Sequence, residues 1–209
     1  MLLDLHALVA KYDMRITGIL HVGAHEAEEA PLYRSVAPNA RVVWVEANPD
    51  LVVRMQAIGV PDVYQGLASD RDGEQVDFIL TNNMQSSSML ELAEHKREHP
   101  DVFEVARIPL TTISLNSLLN RVAPEFKFNF IALDIQGAEL LALRGLGDER
   151  LAEVDFVYSE VNERELYKGC AMISDIDAFL MARGFSRLET AMTRHGWGDG
   201  LYVRDAARV

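Results

Sequence analysis

Cysteine is nearly absent: Cys170 is the only one among 209 residues. No internal disulfide framework can form, and the chain suits a reducing cytoplasm. Basic charge is also scarce. Twenty Lys and Arg stand against 32 Asp and Glu, a formal charge of −12. Such a surface repels nucleic-acid backbones and anionic membranes, which removes both as main partners. Long apolar runs are missing too. No stretch approaches the roughly 18 apolar residues of a membrane span. Asp4 and His6 interrupt the first apolar run and no basic region leads it, so it does not read as a secretory signal. Leu5, Leu8, Val9 and Tyr12 instead mark one face of a helix within residues 1–15.

Glycine is missing where a nucleotide-binding loop would need it most. "HVGAHEAEEA", residues 21–30, follows the apolar run "ITGILHV" and precedes a helical pattern, the position of a Rossmann phosphate loop. Gly23 is its single glycine, and Glu26, Glu28 and Glu29 crowd the place of a pyrophosphate. Dinucleotides set an anionic pyrophosphate on the helix N-terminus, and the second glycine permits that close approach. Ala24 and His25 narrow the approach and the glutamates repel it. A ligand with an adenine ribose but cationic centres, as in S-adenosylmethionine, suits these acids better. Glu28 and Glu29 also have a plain structural reading, as complements to the helix dipole.

Strand and helix patterns alternate along most of the chain. "RVVWVEANPD" is a β-branched run ending at Glu46, with Asn48 as a cap and Pro49 at the first helical position. "DVYQGLAS" reads as a third strand. Residues 70–128 depart from the alternation: "EQVDFIL" and "ARIPLTTI" read as strands around a polar stretch, and "SLNSLLNRV" as a helix. "FNFIALDIQGAELLALRGL" and "VDFVYSEVNERELY" return to the strand–turn–helix grammar. Ser174 and Asp177 resemble a capping box, and "FSRLET" with "GLYVR" reads as a closing hairpin. The order implies one α/β domain over 1–209, with a doubly wound, mostly parallel sheet and one antiparallel strand near its end.

Ligands of such sheets bind beyond the carboxyl ends of the strands, at the switch in strand order. The residues there are His21 to Glu26, Glu46, Ala68 to Asp70, Asp134 and Glu160. Glu46 follows Gly23 at the distance, roughly 20 residues, of the acid that binds ribose hydroxyls. Asp134, beside the tight turn at Gly137, can orient an acceptor hydroxyl, act as general base or hold a cofactor amine. Glu160 is a base or a substrate hydrogen-bond acceptor, and Glu139 a structural residue on the helix. Trp197 either lines an acceptor site or packs structurally. His95 and His99 have the i, i+4 spacing that can chelate zinc. Their stretch, "EHKREH", is strongly charged and supplies no third ligand, so it reads as a solvated helix face and no metal is expected.

Taken in order, these segments resemble the FkbM family of S-adenosylmethionine-dependent methyltransferases, from about Ile16 to Arg204. "HVGAHEAEEA" is similar to the family's D-x-G-A-N-x-G segment, "VEANPD" to V-E-P-x-P and "SSSML" to its serine pair. "PLTTISLNSLL" is similar to its threonine–leucine–acid segment, with Asn116 at the acid's place, and "FIALDIQGAELLALRGL" to D-x-x-G-x-E. "SEVNERELYKG" and "GFSRLE" match its closing pattern.

The resemblance implies a class I methyltransferase fold, a Rossmann-like sheet of seven strands with a β-rich insert between the third and fourth core strands. It implies S-adenosylmethionine as cofactor and transfer to a hydroxyl oxygen, often of a sugar or natural product. By position, Gly23 and Ala24 would line the cofactor, Glu46 with Ala47 and Asn48 its ribose, and Ala68 and Ser69 its adenine. His25 or Glu26 would take its amino-carboxylate end, and Asp134 would face the methyl group. Ser87, Ser88, Glu160, Asn162 and Trp197 would fall on the acceptor side, covered by the insert. His21, His25 and Ala27 replace the family's usual acid, Asn and second Gly.

The expected function is O-methyl transfer to a small-molecule or glycan hydroxyl in the cytoplasm, with self-association left open. A dinucleotide-dependent oxidoreductase and a non-catalytic nucleotide-binding module are the alternatives.

Overall fold

The computed structural model describes residues 1–207. Seven strands form the main sheet: β1 (Gly18–Val22), β2 (Arg41–Glu46), β3 (Val63–Gln65), β7 (Phe130–Leu133), β8 (Phe156–Asn162), β9 (Phe185–Met192) and β10 (Trp197–Arg204). Their order is β3-β2-β1-β7-β8-β10-β9, and β10 runs opposite to the other six. A smaller sheet, β4 (Leu67–Ala68), β6 (Glu104–Ile113) and β5 (Gln75–Thr81), in the order β4-β6-β5, forms the β-rich insert between β3 and β7.

The two-residue period of the strands sorts their side chains between two cores. Leu20, Val22, Val43, Val45, Ile131 and Leu133 face α5 (Leu115–Val122), α6 (Glu139–Leu146) and α8 (Ile173–Met181). Ile19, Trp44, Phe130, Ala132 and Tyr158 face α1 (Leu5–Lys11), α2 (Ala30–Val36) and α3 (Pro49–Ala57). Leu20, Leu119 and Leu143 are fully buried, and truncating such a leucine to Ala costs about 2–5 kcal/mol. Short α4 (His95–Glu98) lies in the insert and α7 (Asp148–Leu151) follows α6.

Local chemistry explains the helix starts. Asp4 accepts from the N–H groups of His6 and Ala7, Asn48 from that of Asp50, and Ser114 from that of Ser117. Two readings of the sequence change. "DVYQGLAS" is not one strand, because the chain leaves the main sheet at Gly66 and resumes in the small sheet as β4. The cap of α8 is Met172 with Asp175, whose side chain takes the Met172 N–H at 2.9 Å. Asp177 instead pairs with Arg187 at 2.8 Å and accepts from Tyr202 at 2.9 Å.

Candidate active site

The strand order switches between β1 and β7, the place where open α/β sheets bind ligands. The alternation that buries Trp44, Ala132, Tyr158 and Leu201 on the α1–α3 face brings Glu46, Asp134, Glu160 and Asp199 out on that same side. All four line one cavity of about 540 Å³. That volume is ordinary for a small-molecule or cofactor site.

Gly23 opens the loop after β1. At φ +88°, a Cβ there would stand 1.8 Å from the carbonyl oxygen of Asp134, so only glycine lets the β1 and β7 turns touch. The N–H groups of Gly23 and Ala24 donate to the Val45 carbonyl at 2.9 and 3.1 Å, stitching the loop to β2. His25 and Ala27 both take left-handed backbone, φ 45° and 59°, a region that Asn and Gly tolerate best. Glu46, at the end of β2, accepts from the N–H of His25 at 2.9 Å and of Asn48 at 2.8 Å, one on each carboxylate oxygen. An ionised carboxylate has about four acceptor positions, so a ligand diol can still be received there. Burial pushes the Glu46 carboxyl up, against those two N–H groups.

The turn after β7 carries a second network. Gln136, itself left-handed at φ 56°, donates through Nε2 to Asp134 Oδ1 at 2.6 Å and Glu160 Oε2 at 2.7 Å. Its Oε1 accepts from the Tyr167 hydroxyl at 2.6 Å. Asp134 is exposed to the cavity, whereas Glu160 is buried. Burial and the neighbouring Asp134 charge push the Glu160 carboxyl well above the usual carboxylate range. Behind the turn, Glu139 Oε1 accepts from the N–H groups of Ile135 and Gly137 at 2.9 and 3.1 Å. Burial pushes its carboxyl to about 7.

The insert and the N-terminal residues close the cavity. Met84, Ser87, His95 and His99 line one wall, and Leu2 another. The Leu2 N–H and the Tyr158 hydroxyl both donate to Asp199 Oδ2. His95 is not on a solvated helix face: α4 spans only four residues and packs this ring 5.3 Å from that of Tyr167. Burial, with His99 alongside, lowers it to about 4, and its Nδ1 has no hydrogen-bond partner. Among the described residues no cluster of three metal-ligating side chains occurs.

Of the residues singled out from sequence, Gly23, His25, Glu46, Ala47, Asn48, Ala68, Asp134, Ser87, Glu160 and Trp197 all line the cavity. Ala24 is buried behind the loop. Glu26 faces outward and pairs with Arg54 at 3.6 Å. Ser69 is buried beside the wall. Ser88 donates to the Gln136 carbonyl at 2.9 Å, and Asn162 lies 3.5 Å from Glu160 Oε1. His21, buried, packs on the α1–α3 side and also borders the cavity, with Nδ1 2.8 Å from the Tyr33 hydroxyl and its ring 5.0 Å from that of Trp44. Tyr167 and Asp199 join the site without a signal in sequence, and His95, singled out there only for its spacing to His99, joins it as a wall residue. Gln136, inside the D-x-x-G turn, had a position that pointed there.

The sequence profile of the Methyltransferase FkbM domain matches residues 21–187. The 2-O-methyltransferase NoeI of Sinorhizobium fredii is 27% identical over 162 residues, 72% of this chain. The chain spans 65% of the length of that relative. Among solved structures, the fold is similar to the precorrin-6y C5,15-methyltransferase of Geobacter metallireducens. The TM-score is 0.52 at 10% identity, covering 95% of this chain and 86% of that one. A Streptococcus agalactiae protein of the NADB-Rossmann superfamily aligns with a TM-score of 0.51 at 12% identity, covering 98% and 69%.

Proposed function

The chain belongs to the FkbM family of S-adenosylmethionine-dependent methyltransferases, and from that premise we propose that it methylates a hydroxyl oxygen of a small molecule or glycan. The observation that carries the reading is the convergence of Glu46 and Asp134 on one cavity, either side of the loop opened by Gly23. The matched relative, a 2-O-methyltransferase, supports oxygen as the atom methylated. Family membership favours methyl transfer over hydride transfer. The single cysteine, buried Cys170, fits a cytoplasmic enzyme, and no described helix is long and apolar enough to cross a membrane.

In this reading Glu46 takes the ribose hydroxyls with the acceptor positions that His25 and Asn48 leave open. Ala68 borders the adenine, and the β1 loop, with Gly23 and His25, borders the methionine end. Bound S-adenosylmethionine supplies an electrophilic methyl group beside a positive sulfur. Asp134 accepts the proton of the attacking hydroxyl, because its carboxylate is open to the cavity while Glu160, on the same wall, is buried and bound by Gln136. Gln136 holds both carboxylates in place, so that positioning contributes much of the rate. The segment 70–128 forms the acceptor wall of the single domain, with Ser87 and Trp197 on that side.

The test is transfer of isotopically labelled methyl groups to a panel of glycosides and phenolic alcohols. Asp134→Asn should retain S-adenosylhomocysteine binding and lose about 10²–10⁴-fold in rate, the usual contribution of a general base. Labelled transfer at the parent rate would remove Asp134 from that role.

A further inference from the structure

The charge of the cavity wall narrows the acceptor further than the family does. None of the described residues lining it is Lys or Arg. The acids Asp134, Glu160 and Asp199 gather at its acceptor end, two of them buried. The guanidinium of Arg164, beside the turn at Gly196, is already held by Glu98 at 3.0 Å and the Arg194 carbonyl at 3.2 Å. Arg54 is turned outward onto Glu26. An acceptor phosphate, sulfate or carboxylate would therefore face the open carboxylate of Asp134 and find no Lys or Arg side chain on the wall to pair with, so its charge would be desolvated without a side-chain counter-ion.

What the wall does offer is neutral and hydrogen-bonding. Gln136 and Ser86 supply amide and hydroxyl groups, Trp197 an aromatic ring, and buried His95 a ring whose Nδ1 has no partner. Carboxylates accept from hydroxyls, amides both donate and accept, and an aromatic ring covers the apolar face of a cyclic polyol. S-adenosylmethionine itself carries an ammonium beside its carboxylate and adds no net negative charge.

Resting on the hydroxyl-methylation reading, we propose that this cavity selects an uncharged polyhydroxylated ring, a neutral sugar with no phosphate, sulfate or carboxylate near the reacting hydroxyl. The acceptor is then recognised before any anionic group is added to it, or on a glycan unit that carries none.

Saturation-transfer NMR on the S-adenosylhomocysteine-loaded protein tests this. The probes are the methyl glycosides of glucose, galactose, mannose and N-acetylglucosamine, each beside its phosphorylated and uronic acid counterparts. At least one neutral glycoside should bind, and its anionic counterparts should bind at least about tenfold more weakly, a difference of about 1.4 kcal/mol. Equal or tighter binding of an anionic counterpart would overturn the proposal and leave methyl transfer standing. So would S-adenosylhomocysteine binding with no glycoside bound. Failure of S-adenosylhomocysteine itself to bind would sink the underlying reading and the proposal with it.

Discussion

The backbone N–H of His25 donates to Glu46 Oε2 at 2.9 Å, tying the loop after β1 to the end of β2. One carboxylate thus fixes the loop and offers its remaining lone pairs to the ligand. Glu46→Ala should weaken S-adenosylhomocysteine binding by about 1–3 kcal/mol, the cost of losing a charged hydrogen-bond partner. Isothermal titration reads this directly, and unchanged affinity would remove Glu46 from the ligand's contacts.

Gly23→Ala probes the contact of the β1 and β7 turns. The added Cβ would press on the Asp134 carbonyl oxygen at 1.8 Å, from left-handed backbone. Overpacking costs about 1–3 kcal/mol and the left-handed region about 1–2 more. Urea unfolding should show a loss of roughly 2–5 kcal/mol. A loss below about 1 kcal/mol would mean the turns are not in contact.

Gln136→Ala removes the amide that donates to both carboxylates. Donation favours the ionised form, so its loss moves the Glu160 carboxyl still higher. The Glu160 carboxyl, followed by NMR on the carbon-13-labelled protein, should titrate at higher pH, and the rate should fall with little change in S-adenosylhomocysteine affinity. A parent-like titration and rate would show that Gln136 is a spacer rather than a positioning residue.

Glu139 gives a stability test whose sign follows from burial. Its carboxyl is raised from the usual 4.5 to about 7 in the folded protein, so the native state holds the proton more tightly than the unfolded state. That contribution favours folding at low pH and is lost as pH rises through the window from 4.5 to about 7. Glu139→Gln keeps an acceptor for the N–H groups of Ile135 and Gly137 but cannot ionise. Its stability relative to the parent should grow by about 1–3 kcal/mol between about pH 5 and pH 8. A flat difference across that range would contradict a buried, proton-holding Glu139.

The strand ends were legible because period-two burial and helix caps are local. A β-branched run into Glu46 and a short apolar run into Asp134, each followed by a turn residue, suffice to place them. The loop after β1 was legible as a departure, and the backbone gives its reason: His25 and Ala27 occupy left-handed positions that Asn and Gly fill more easily. The hydrogen-bond roles of Gln136 and Tyr167 were not legible, since they arise only when the turn after β7 meets the segment after β8. His95 misled, because its neighbours Lys96, Arg97 and Glu98 are charged while its own ring turns inward onto Tyr167. Asp199 reads as part of a Gly-rich hairpin until Leu2 and Tyr158 converge on it.

Calorimetric titration of the protein with S-adenosylhomocysteine and, separately, with NAD tests the central claim most directly. Saturable one-site binding of S-adenosylhomocysteine, weakened in Glu46→Ala, with no heat from NAD is the predicted result. Tight NAD binding with no response to S-adenosylhomocysteine would contradict the account.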